Sequence, residues 1–126
     1  MSSEFDAVTN DDAVATYEAT QPVFKGLVRE VRELSRKKPE ATMSEQKVKI
    51  VNRVLGDLLA ILKEEPEGKY LELLSDHSLP QVSDGVLMMV QFETALGAFK
   101  ARYFRRVFGD YVWITSSVVA EIERRR

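Results

Sequence analysis

The chain has 126 residues, 30% of them charged and 44% hydrophobic, with a formal net charge of -2 and no cysteine. That length fits one domain with one contiguous core. The composition excludes a disulfide framework, a thiolate nucleophile and a thiolate metal site, and gives no overall pull toward nucleic acid or membrane.

The first residues, Met-Ser-Ser-Glu-Phe-Asp, lack the basic start and apolar run of a secretory signal. No stretch approaches the roughly 18 consecutive apolar residues of a membrane span. A cytoplasmic location is the expectation. Charge is segregated along the chain: -5 over residues 1–20, +3 over 21–65, -4 over 66–98 and +4 over 99–126. Residues 1–10 read as a flexible acidic N-terminus and 11–126 as a single helical domain.

Asn10, Asp11 and Asp12 suit a helix start, because their side chains accept bonds from free backbone N–H groups and complement the dipole. Val14, Tyr17, Phe24, Leu27, Val28, Val31 and Leu34 then follow helical spacing, interrupted by Pro22. A proline inside a helix removes a hydrogen bond and clashes with the preceding turn. The reading is a short helix over 12–20 and a second over 22–38, with one kinked helix as the alternative. Pro39 ends that element.

Thr42 with Glu45 three residues later has capping-box spacing. Ile50, Val51, Val54, Leu55, Leu58, Leu59, Ile61 and Leu62 supply a broad core stripe for a helix reaching about Glu64. Pro66 opens a short helix through Tyr70, Leu71, Leu73 and Leu74, and Ser75 to Val82 reads as a loop. Ser83 is taken as the cap of a long central helix near residues 84–108, stopped by Gly109. Val86, Leu87, Met88, Met89 and Val90 make its start apolar on every side, which requires enclosure by the chain's own helices or by a partner. Gly97, beside that helix's apolar stripe, is read as a site of close helix packing. Thr115, Ser116 and Ser117 are candidate caps for a final helix. No strand pair is evident, and the fold expected is all-α, an elongated bundle of four to six helices.

Few residues suggest chemistry. His77 is the only histidine and sits in Ser-Asp-His-Ser, read as a solvent-facing loop residue. No Glu-x-x-His pair of the kind used by bundle metal sites occurs, and the glycines are too dispersed for a phosphate loop. No enzyme activity and no cofactor are expected. The most coherent polar pattern is Lys25, Arg29, Arg32 and Arg36, which lie within about 60° on a helical wheel and form one basic stripe. Such a stripe suits an acidic protein partner or the phosphates of nucleic acid; Glu33 can neutralise part of it. Val86, Met89, Phe92, Leu96 and Phe99 are candidates for the core or for an oligomer interface. The sequence thus points to a helical protein-interaction module, self-associating or an accessory subunit, with a nucleic-acid-binding or regulatory subunit as the alternative.

Overall fold

The computed structural model describes residues 7–126. Helix α1, Asp11–Lys37, begins where the Asn10 side chain accepts a 2.8 Å bond from the Ala13 N–H. Asp11 and Asp12 occupy its positive end, and Arg36 and Lys37 its negative end. Ala13, Tyr17, Thr20, Phe24, Val28 and Val31, spaced three or four apart, form its buried face. The two helices expected around Pro22 are one. Pro22 lies on the exposed side, where the carbonyl it leaves without a donor meets water, and the buried residues on both sides hold the helix through it.

Helix α2, Glu45–Leu62, is capped by the Ser44 hydroxyl, which accepts from Lys47 N–H at 3.1 Å. Thr42, the expected cap, instead pairs as a single antiparallel bridge with Gln81. Neighbouring backbone bonds, Met43 N–H to Pro80 O and Val82 N–H to Ala41 O, both 2.8 Å, pin this connection to the start of the third helix. The short helix expected from Pro66 to Leu74 is only a 3-10 turn, Pro66–Tyr70, because Leu71 leaves it in extended conformation. The irregular stretch after it is tied down by Asn52, whose amide both donates to Leu74 O and accepts from Leu74 N–H at 2.9 Å.

Helix α3 spans Val82–Tyr103 and starts after Gln81, not Ser83. Helix α1 packs against both α2 and α3, and the core between them is built on Val48, Leu55, Leu58, Leu62, Met89, Phe92 and Phe99. The apolar start of α3 is not wholly enclosed, since Leu87 is exposed. The space beside Gly97 is open, with nothing within 4 Å of where a Cβ would sit, so close helix packing is not the reason for that glycine.

The expectation of an all-α bundle with a helix to residue 108 is corrected at Tyr103. There the chain enters an antiparallel hairpin, β1 Phe104–Val107 and β2 Asp110–Trp113, with Phe104 opposite Trp113 and Val107 opposite Asp110. The two-residue turn has φ 52° at Phe108 and 88° at Gly109, the all-positive pattern of a type I′ turn, whose twist matches the strands. Trp113 returns the hairpin to the core, its ring centroid 5.0 Å from Tyr17 and 5.9 Å from Phe99. Thr115 then caps helix α4, Ser116–Arg124, whose single buried residue is Ile122. Among the described residues the fold is therefore mostly helical, with four α-helices and one small two-stranded sheet.

Of the N-terminus expected to be flexible, residues 1–6 lie outside the described residues. Thr9 N–H donates to Ile114 O at 2.9 Å, fixing the approach to α1 beside the hairpin. Among the described residues, no helix is long and apolar enough to cross a membrane.

Candidate functional site

The single-face spacing of Lys25, Arg29, Arg32 and Arg36 becomes a real stripe, because α1 is continuous and buries its opposite face. All four are exposed and border an open groove of about 350 Å³ between α1 and α3. The stripe is partly neutralised. Arg32 Nη2 donates to Glu93 Oε1 of α3 at 2.9 Å, and Arg36 pairs with Glu33 on its own helix. Lys37 Nζ also lies 3.8 Å from Glu33. Exposed pairs of this kind each contribute about 0–1 kcal/mol, so they lower the local charge more than they rigidify it. Lys25 and Arg29 have no ion-pair partner among the described residues. The next helix does not extend the stripe as one surface: Lys47 faces a groove with Leu34, Lys37 and Lys38, while Lys49 and Arg53 face another with Asp76.

The apolar set on α3 is covered by the chain itself. Met89, Phe92, Leu96 and Phe99 are buried, and Val86 packs half-buried against the same core. In the monomer these residues face α1 and α2 rather than an open surface.

The hairpin end presents a second exposed surface. Phe108 and Tyr111 are 57% and 63% exposed. Tyr111 stacks on Phe104 with centroids 5.5 Å apart, Lys100 lies over Phe104, and the Arg125 guanidinium lies 5.0 Å above the Phe108 ring. Arg105 and Arg106 project from β1, and Arg124 from α4. Phe108 holds a left-handed backbone, which a bulky side chain adopts at a cost of about 1–3 kcal/mol. An exposed aromatic ring kept at a strained turn is a feature that fold stability alone does not select. The available signal was Gly109 between two groups of β-branched and aromatic residues.

One charged cluster is structural. Arg102 donates to Glu65 at 2.7 Å and to Glu67 at 3.0 Å, and the Tyr103 hydroxyl donates to Glu65 at 2.9 Å. These bonds tie the end of α3 to the connection after α2. The Arg102 hydrogen bond holds the Glu67 carboxyl below the usual glutamate range. Its ionised form is thus favoured in the folded state, so the stabilisation is complete above the ordinary carboxylate range and is lost as pH falls through the folded-state value. Thermal denaturation from pH 7 to pH 3 should therefore show the wild type losing its advantage over Glu67→Gln on the acid side. A constant gap between the two proteins would reject this pairing.

The His77 side chain is almost entirely solvent-exposed, and Asp76 lies 3.5 Å away. Among the described residues no three histidine or acidic side chains converge as a metal site. No protein-family model matches the chain, and neither a curated protein nor a solved structure is significantly similar to it.

Proposed function

We propose that the chain is a non-enzymatic protein-interaction module of the cytoplasm, a self-associating or accessory subunit that meets its partner through the hairpin end. The observation that carries this reading is the exposed pair Phe108 and Tyr111 beside Arg106 and Arg125. Aromatic residues and arginine are the side chains that concentrate binding energy at protein interfaces, and here they are presented in a fixed geometry. Aromatics beside arginine also suit single-stranded nucleic acid. A protein partner is favoured because Asp110, Glu121 and Glu123 share this end with the arginines, and Glu33 and Glu93 offset the α1 stripe.

Phe108→Asn combined with Tyr111→Ser is the discriminating variant. Asparagine tolerates the left-handed turn position, and this gain offsets the lost cation–π contact of about 0.5–1 kcal/mol; folding stability should stay within about 1 kcal/mol of wild type. Affinity capture from the native extract should retain a specific protein on the wild type and lose it on the variant. Equal retention by both would move the interface elsewhere. Fluorescence anisotropy with a single-stranded oligonucleotide at low and high salt should show no binding, and tight salt-sensitive binding would replace this reading with the nucleic-acid one.

A further inference from the structure

The outward face of α1 carries a charge order that is complementary to itself. Asp11, Glu18, Lys25, Arg29 and Arg36 fall within about 40° on the helical wheel, and all are exposed. The acidic members occupy the first half of the helix and the basic members the second. Glu18 and Arg29, like Lys25, have no ion-pair partner among the described residues. Among the described residues no element covers this face, because the helix buries another side against α2 and α3; its basic half borders the open groove with Glu93.

We propose that this face docks a second copy of the chain, with the two α1 helices antiparallel about a two-fold axis. An axis passing between Val23 and Phe24 places Glu18 opposite Arg29 of the other copy. The same register places Asp11 opposite Arg36, because both steps are seven residues, two helical turns. Two-fold symmetry repeats each pair, giving four opposite-charge contacts from one register. Ala15, Ala19, Pro22 and Gly26, on the same side of the helix, present little bulk to an approaching backbone. Arg36 also has Glu33 beside it in the monomer, so the Glu18–Arg29 pair is the more decisive contact. A parallel arrangement would set acid against acid and base against base, which fixes the direction. This pairing goes beyond the reading above: it names a second copy of the chain as partner, on a surface separate from the hairpin end.

The test uses two charge reversals at exposed positions, Glu18→Arg and Arg29→Glu, with circular dichroism to verify the helical content of each. Sedimentation equilibrium at low ionic strength should show a concentration-dependent dimer for the wild type, weakened by added salt. Each single variant sets like charges opposite one another twice per dimer, and its association should fall about tenfold or more. An equimolar mixture of the two variants restores opposite charges at both sites, so it should dimerise at concentrations where either alone is monomeric. The double variant, with the charges exchanged, should also dimerise. A wild type that stays monomeric to about 1 mM (on the order of 4 kcal/mol of association) overturns the pairing. A wild-type dimer indifferent to the reversals, or a mixture that fails to associate, also overturns it while leaving self-association standing. Loss of the extract partner from the hairpin variant with the dimer intact separates the two surfaces.

Discussion

Phe99→Ala should lower folding stability by about 3–5 kcal/mol, the usual cost of deleting a fully buried aromatic ring. Phe99 is 1% exposed, and its ring meets Tyr17 at 5.7 Å, Tyr103 at 4.9 Å and Trp113 at 5.9 Å between centroids. It thus packs α1, the end of α3 and the hairpin together, with Trp113 as its partner from the hairpin. Deleting it removes three ring contacts and leaves a cavity that backbone cannot readily fill, because the helices around it are held by Phe92, Leu55 and Leu58. The midpoint of thermal unfolding should drop by roughly 10–20 °C for a chain of this size. The near-ultraviolet dichroism of Trp113 should weaken at temperatures well below that transition. A loss under about 1 kcal/mol would mean that the hairpin is not docked on this cluster.

Gly68→Ala should cost about 2–3 kcal/mol, the range for forcing extra volume into a closed site. A Cβ at this position would lie 2.5 Å from both Leu62 O and Lys63 O, and 2.7 Å from Lys63 C. These are backbone atoms at the end of α2, so no side-chain rotation relieves the clash. Gly68 N–H donates to Glu65 O at 2.9 Å, and its carbonyl accepts from Leu71 N–H. A displaced Gly68 therefore disturbs Glu65, and with it the bonds to Arg102 and Tyr103. Gly97→Ala is the matched comparison: its Cβ would meet nothing within 4 Å, and alanine favours the helix by up to about 1 kcal/mol. Chemical denaturation of the two variants should give changes of opposite sign. Equal effects would show that the turn after α2 yields more easily than its geometry implies.

Much of the helical framework was legible because apolar spacing reports burial directly. The stripes from Val14 to Leu34 and from Ile50 to Leu62 supplied the buried faces of α1 and α2, except at Leu34 and Ile50, which are exposed. Pro22 misled because its cost depends on which side of the helix it occupies, and that is fixed only once the core side is known. Thr42 has the right chemistry for a cap, but its pairing with Gln81 joins residues far apart in sequence. The hairpin was hidden for a different reason. Phe92, Leu96, Phe99 and Tyr103 keep a helical period right up to the break, and the turn uses Phe-Gly in place of the asparagine or glycine pairs that normally mark a type I′ turn. The Lys25 to Arg36 stripe was readable as a pattern; its partial neutralisation by Glu93 was not, since that residue comes from α3.

The way the hairpin is attached gives the molecule a graded stability. It leaves α3 without an intervening loop, is anchored inward by Trp113 and Ile114, and continues into α4 with only Ile122 buried. The three long helices share one core, so the amides of their central turns stay protected until that core opens. The hairpin and α4 have fewer buried anchors and can open as a smaller cooperative unit, at a free energy below that of global unfolding. A partner seated on Phe108 and Tyr111 would close this unit, so its binding free energy would be spent partly on suppressing local opening. Occupancy would then be felt along the backbone to Thr9, whose N–H is held by Ile114, and the outermost turn of the hairpin would report to the first turn of α1.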